Sequence, residues 1–230
     1  MATQSAAVSE TATHAPSAHP PHLQHHFVSS EQQFDAAKLG MWLFLITEIL
    51  LFSGMFVAYA VYRLWHPEVF LHSSTLLDWK MGGLNTLVLL GSSLTIALAI
   101  NSAQHDDKRG LVRYLLLTLG LSFLFLVVKY FEYTGKFAYG VFPGAHFNPE
   151  GSYAVYDIPY AAQFLSIYFV MTGIHAIHII IGMSVMARMA YRAHRGDFNS
   201  EWYTPVELTG LYWHLVDIIW IFLFPLLYLI

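Results

Sequence analysis

The sequence has no cysteine and very little charge. The lack of cysteine excludes disulfides, thiolate metal sites and cysteine nucleophiles. Charged residues make up only 11% of the 230, against about 25% in an average soluble domain. With 56% hydrophobic residues, the chain cannot cover a globular surface with polar side chains, and its formal net charge of −4 gives no basic surplus for nucleic acid. The composition therefore predicts a protein that lies in lipid and does not bind nucleic acid.

The N-terminal segment has neither long apolar runs nor basic residues, since the first Lys or Arg is Lys38. A secretory signal peptide combines a basic region with an apolar one, so this segment does not resemble one. It is rich in Ala, Ser, Thr, Pro and His. We interpret 1–36 as a disordered tail, whose histidines are incidental or bind a metal weakly. The remaining residues, 37–230, form the second predicted domain.

Long apolar runs fill the second domain. They cover about 39–64, 81–101, 111–133, 161–190 and 206–230. At about 1.5 Å rise per residue, each run can cross a hydrocarbon layer of about 30 Å as a helix. The sequence therefore predicts an all-α membrane protein with a bundle of five transmembrane helices.

Small and polar residues recur every seven positions in two of the runs, which favours close contact between helices. They are Asn85, Ser92 and Ala99 in the second run, and Gly40, Thr47 and Gly54 in the first.

Basic residues are divided unevenly between the connecting segments. One side would carry Lys38, Lys108, Arg109, Arg113, Arg188, Arg192 and Arg195, and the other Arg63, Lys80 and Lys136. Cytoplasmic segments carry the excess of Lys and Arg. We therefore predict that the N-terminus is inside and the C-terminus outside.

Ionisable residues inside the runs are the candidate functional groups, because such groups are costly in lipid. Glu48 lies about ten residues into the first run. It either makes a hydrogen bond to a neighbouring helix as a protonated carboxyl or takes part in proton transfer. Lys129 and Glu132 share a helix face near the end of the third run. They form an ion pair at the interface, or contact a lipid headgroup or a partner subunit.

His175 and His178 also share one face, in the fourth run. Two imidazoles at this spacing can bind a metal, but a closed site needs four ligands. Only His214, His66 and His72 remain to complete one. The sequence therefore favours hydrogen bonds between helices over a metal or haem site.

A polar stripe along the last run contains Glu207, His214 and Asp217. The segment 204–207 has the pattern of a capping box, which would place Glu207 near water. The deeper His214 and Asp217 either neutralise each other or connect this helix to Glu48 or to the histidines of the fourth run.

Five segments, in order, resemble subunit III of the haem–copper terminal oxidases over about 38–230. They are Gly40–Glu48, which includes Trp42; Leu84–Thr86 with Ser92–Ser93; Lys129–Tyr133; Thr172–His178; and Tyr212–Asp217. The five predicted spans match the bacterial form of the aa3-type cytochrome c oxidase subunit.

The resemblance implies a chain of the oxygen-reducing, proton-translocating complex that itself holds no redox centre, haem and copper being in partner subunits. It implies packing on subunit I, with subunit II and small subunits or a respiratory supercomplex as further partners, in the bacterial cytoplasmic membrane. It also implies bound phospholipid and support of proton uptake and stable turnover. Glu48 matches the family's carbodiimide-reactive glutamate. Expected lipid or subunit contacts are Trp42, Asn85, Lys129, Glu132, His175, His178, Glu207, His214 and Asp217.

Two alternatives stay open. The same architecture serves quinol oxidases and complexes associated with nitric oxide reductase, although glutamate at position 48 favours cytochrome c as the electron donor. A stand-alone proton-coupled transporter is the alternative from a different class, and it would favour inverted repeats and broken helices.

Overall fold

The computed structural model describes residues 23–75, 77–138, 140–143 and 161–230. Most of the predicted tail, including its histidines at positions 14, 19 and 22, lies outside these residues.

The described residues form six α-helices and no β-strand beyond one isolated bridge. They are α1 (Ser30–Trp65), α2 (Pro67–Ser74), α3 (Trp79–Gln104), α4 (Lys108–Ala138), α5 (Ala161–Arg195) and α6 (Thr204–Tyr228). All except α2 are long and apolar enough to cross a membrane. The prediction of an all-α protein with five spans is confirmed. The short helix α2, between the first two spans, was not predicted.

Helix α1 begins earlier than the first apolar run, within the segment that the sequence assigned to the tail. The Ser29 hydroxyl caps it by accepting a hydrogen bond from the Gln32 amide at 3.1 Å. The Gln32 side chain accepts one from the Val28 amide at 2.9 Å. Together these bonds satisfy amides that the start of a helix leaves free, so the helix extends beyond its apolar part.

Helices α3 to α6 form a ring in which α3 packs on α4 and α6, and α5 packs on the same two helices. Helix α1 lies outside this ring against α5 and α6. The core is formed largely by the ring, where Leu115, Phe125 and Trp220 are fully buried. Few of α1's residues are buried, among them Leu45, Phe52 and Tyr59.

The two predicted contact stripes have opposite outcomes. Asn85, Ser92 and Ala99 are fully buried inside the ring, as predicted. In contrast, the stripe on α1 faces away from the bundle. The positions that Cβ atoms on Gly40 and Gly54 would take have no neighbouring atom of the described residues within 4 Å, apart from the helix's own backbone. The predicted close contact between helices is therefore not made at this stripe by the described residues.

Candidate functional site

Glu48 is joined to His178 across the interface between α1 and α5. The His178 Nε2 atom lies 2.8 Å from Glu48 Oε2. Both side chains are mostly buried, and the imidazole also contacts the Phe52 ring, with 5.1 Å between ring centroids. The predicted hydrogen bond from Glu48 to a neighbouring helix is therefore present, and its partner is one of the two histidines that the sequence singled out.

The geometry fixes how many protons this pair holds. His178 Nδ1 lies 2.8 Å from the Ile174 carbonyl oxygen, and a carbonyl can only accept, so Nδ1 carries a proton. The contact between Nε2 and Oε2 then needs one further proton, which lies on the imidazole or on the carboxyl group. In either arrangement the pair has no net charge. The proton can therefore change place without leaving a net charge in the membrane.

Lys129 and Glu132 lie in a second cluster, inside the ring. Glu132 Oε2 accepts from Lys129 Nζ at 3.0 Å, and Oε1 accepts from Lys136 Nζ at 3.2 Å. Oε1 also accepts from the hydroxyl groups of Tyr168 and Tyr228, at 2.7 and 2.8 Å. These hydrogen bonds connect α4, α5 and α6, and they leave two ammonium groups with one carboxylate.

The predicted ion pair is formed, and it is buried among the helices of the bundle. Lys129 is 4% exposed and Glu132 is 6% exposed. Helix α4 continues to Ala138, six residues past Glu132 and so about 9 Å further along the axis. The two side chains also point towards α5 and α6. They contact tyrosines of this chain, and the contact with a lipid headgroup or a partner subunit stays a prediction.

His175 differs from His178 although both lie on the same helix. It is fully buried, and neither ring nitrogen has a hydrogen-bond partner among the described residues. Its ring packs on Trp220 and Phe125, with centroid distances of 5.2 and 5.7 Å. The predicted hydrogen bond between helices is therefore made by His178 and not by His175.

The deeper residues of the α6 polar stripe, His214 and Asp217, lie beside Ser93 of α3. His214 Nδ1 lies 2.7 Å from the Ser93 hydroxyl oxygen. Ser93 also lies beside Asp217, but neither carboxylate oxygen completes a hydrogen bond among the described residues. Among the described residues, His214 and Asp217 neither pair with each other nor connect to Glu48 or to the histidines of α5. Ser93 lacks a charge, so it was not among the ionisable residues considered as partners of this stripe.

Two tryptophans add to the contact between α3 and α6. Trp213 Nε1 donates to the Ser92 hydroxyl at 2.9 Å, and Trp220 Nε1 donates to the Thr86 hydroxyl at 3.1 Å. Asn85, adjacent to Thr86, is fully buried, and its amide has no partner among the described residues.

Glu207 does not belong to a capping box. The N-cap of α6 is Tyr203, and no side chain caps the helix. Glu207 Oε1 instead accepts from Lys38 Nζ at 3.1 Å, a bond that connects the start of α6 to α1. Pro205 in the first turn favours a helix start here without a side-chain cap.

An apolar groove separates α1 from α6 along much of their length. Its first part has a volume of about 530 Å³ and is lined by Trp42, Phe56 and His214, among others. A second part, of about 670 Å³, shares Phe56 with the first and ends at Arg63. Trp42 is half exposed, which places it at the edge of this groove.

Within the described chain, no group of three or more His, Asp and Glu side chains is arranged to hold a metal ion. The described spans are continuous helices, and the only proline beyond the first turn of one of them is Pro225, near the end of α6. The broken helix pair that a transporter would favour is thus not present in the part of the chain that the structure describes.

Fold and site together define a multi-pass helical membrane protein whose intramembrane ionisable groups pair between helices. The family model described as cytochrome c oxidase subunit III matches residues 23–230. The chain belongs to this family, whose members are subunits of haem–copper oxidases.

Named relatives agree with the family. Cytochrome c oxidase subunit 3 of Thermostichus vulcanus is 32% identical over 201 residues, covering 85% of this chain and 88% of the relative. The subunit 3 of Loxodonta africana is 30% identical, covering 84% of this chain and 69% of the relative. A haem–copper oxidase subunit I+III of Aeropyrum pernix is 28% identical, covering 85% of this chain and 23% of the relative.

Proposed function

We propose that this chain is the non-catalytic subunit III of a proton-pumping cytochrome c oxidase in the bacterial cytoplasmic membrane. In this proposal it packs on subunit I, binds phospholipid, and supports proton uptake and stable turnover. Haem and copper are held by partner subunits, and subunit II and small subunits complete the assembly. Support for the assignment comes from the family match and from the names of the relatives.

The observation that carries the proton-related part is the hydrogen bond between Glu48 and His178. The pair holds one shared proton and has no net charge, so it can exist in the membrane without the cost of an isolated ion. It can also shift that proton between two atoms 2.8 Å apart, which is within hydrogen-bond reach. A buried pair with these properties suits a role in holding or passing a proton beside the catalytic subunit.

The outward face of α1 supports the proposed contact with subunit I. It is wide and apolar, with Leu43, Leu50 and Val57 all more than half exposed. Gly40 and Gly54 on this face leave room for a close approach of another helix. The fused subunit I+III relative carries both polypeptides in one chain, so the two are neighbours in that protein. We place the subunit I contact on this face of α1.

The groove between α1 and α6 supports the proposed binding of phospholipid. Its walls are almost entirely apolar, as an acyl chain requires, and Arg63 lies at one end. The Arg63 guanidinium donates to the Tyr59 hydroxyl at 3.4 Å, and no carboxylate lies within ion-pair distance of it among the described residues. It can therefore pair with the phosphate of a lipid whose chain occupies the groove.

Substituting the Glu48–His178 pair in the assembled oxidase tests this proposal. We expect Glu48→Gln and His178→Gln to leave assembly and electron transfer intact, but to slow proton uptake or shorten the active lifetime during turnover. The matched control is Glu68→Gln, which changes an exposed carboxylate on α2. Complete loss of oxygen reduction in an assembled Glu48→Gln complex would contradict the proposal, as would unchanged proton uptake and lifetime in both variants.

A further inference from the structure

Most charges at one membrane surface of the bundle fall into two groups, although Lys38 lies beside the acidic one and Asp106, Asp107 and Asp197 lie beside the basic one. This surface is formed by the starts of α1, α4 and α6 and the ends of α3 and α5. Its acidic group lies at the starts of α1 and α6 and in the loop before α6, and contains Glu31, Asp35, Glu201 and Glu207. Its basic group lies at the start of α4 and the end of α5, and contains Lys108, Arg109, Arg113, Arg188, Arg192 and Arg195. We call this second group the α4–α5 basic surface.

The packing of α4 on α5 brings these cations to one level. Glu132 on α4 accepts a hydrogen bond from Tyr168 on α5. Phe125, seven residues earlier on α4, contacts His175, seven residues later on α5. Continuing this antiparallel register places Arg113 level with residue 187, next to Arg188. At the end of the helices, the Lys108 ammonium lies 3.2 Å from the position that a Cβ atom on Gly196 would take. The basic residues of the two helices thus lie at the same end of the neighbouring helices α4 and α5.

Most of these cations have no acidic partner. Among the described residues, only Arg192 has a carboxylate within ion-pair distance, that of Asp197 at 3.1 Å. The two aspartates that directly precede Lys108 accept hydrogen bonds from other groups. Asp106 accepts two hydrogen bonds from Ser200, and Asp107 accepts one from the Gly110 amide. Five exposed cations therefore remain at the level where a helix leaves the membrane.

We propose that the α4–α5 basic surface binds the headgroups of anionic phospholipids. Membrane proteins carry an excess of Lys and Arg on their cytoplasmic side, which explains the number of these cations but not their concentration on α4 and α5. Helix α4 lies diagonally across the ring from α6, the helix on which α1 packs. The α4 part of this surface therefore lies away from the α1 face that we assign to subunit I, whereas α5 also packs on α1, and five of the cations are exposed. Clustered Arg and Lys at the end of membrane helices attract anionic headgroups.

This inference uses the assignment of the α1 face to subunit I, but it does not depend on the role of Glu48. The test uses the purified complex that contains this chain, placed in nanodiscs of phosphatidylcholine with or without phosphatidylglycerol. Retained lipid is counted by native mass spectrometry. Because each basic residue near an anionic surface contributes about fivefold to affinity, the double variant Arg113→Gln/Arg188→Gln should bind phosphatidylglycerol about 25-fold more weakly.

Two control variants sharpen the test. Arg113→Lys/Arg188→Lys keeps both charges and should retain most of the binding. Lys80→Gln removes an exposed cation at the opposite membrane surface and should have no effect. Equal retention of phosphatidylglycerol by the wild type and the Gln double variant would overturn the proposal. So would loss of a partner subunit from that variant in phosphatidylcholine alone, because the surface would then be a protein contact.

Discussion

The Lys129 ammonium lies 3.0 Å from Glu132 Oε2 inside the helix ring, and the same carboxylate also binds the ammonium of Lys136. All three side chains are almost fully buried. Oε1 accepts from Lys136 and from two tyrosine hydroxyl groups, and Oε2 accepts from Lys129. This arrangement connects three helices through one acidic group, which gives Glu132 a structural role in the bundle.

Removing the charge of Glu132 should therefore destabilise the bundle. Glu132→Gln leaves two buried cations without a carboxylate, and breaking a buried ion pair in this way costs about 3–5 kcal/mol. We expect a lower thermal unfolding temperature in detergent, followed by circular dichroism. Glu68→Gln, at an exposed position, should unfold as the wild type does. Equal unfolding temperatures for Glu132→Gln and the wild type would show that the cluster contributes little to stability.

The proposed contact with subunit I can be tested by substituting two glycines, both of which have open space around the position of a Cβ atom. Neither Gly54 on α1 nor Gly120 on α4 has a neighbouring atom of the described residues within 4 Å of its Cβ position. Gly54→Leu should leave this chain folded but weaken association with the large subunit by about 1–3 kcal/mol, because the added side chain prevents close helix contact. Gly120→Leu should leave the association with the large subunit unchanged. Co-purification yields measure both, and equal yields would place the contact on another face.

A pH effect is expected at the turn between α3 and α4. Two hydrogen bonds from Ser200 hold the pKa of the exposed Asp106 carboxyl below its usual value. Because the folded-state pKa is lowered, this contact stabilises the fold at neutral pH, and the contribution is lost as the pH falls through the lowered pKa. In Ser200→Ala the Asp106 pKa should rise towards the usual value, as measured by NMR titration of the carboxyl carbon. An unchanged pKa would contradict the assigned cause.

The orientation predicted from basic residues can be measured directly, since the chain has no cysteine of its own. Glu68 on α2 and Glu201 in the loop before α6 are exposed at opposite membrane surfaces. With the N-terminus inside, a membrane-impermeant maleimide should label Glu68→Cys in intact cells, and Glu201→Cys only after permeabilisation. The reverse pattern would mean that the N-terminus is outside.

The spans could be predicted from the sequence because membrane-crossing helices need long apolar runs, and each run has its helix in the structure. Their limits were less predictable. Helix α4 extends to Ala138 and α1 starts at Ser30, since polar residues continue a helix beyond the apolar region once caps and contacts support it. Helix α2 was not predicted because its eight residues are too few to show a clear periodic pattern of apolar residues.

The candidate groups were recognisable, but most of their partners were not. An ionisable residue in an apolar run can be recognised from the sequence alone, as Glu48 and Asp217 were. Its partner depends on how helices are rotated against one another, which spacing along one helix does not determine. The partner of His214 is Ser93, and those of Glu132 include Tyr168 and Tyr228. The contact of Lys136 with Glu132 could have been predicted from the sequence, since Lys136 lies four residues after Glu132 on the same face of the helix.

The most direct measurement is purification of this chain from its native membrane in a mild detergent through a C-terminal tag. We predict that a large partner chain with the absorption of haem a is recovered in equal amount, and that this chain alone, once separated, shows no haem absorption. Recovery of this chain without such a partner, or a stoichiometric haem spectrum from the separated chain, would contradict its assignment as the non-catalytic subunit III of an oxidase.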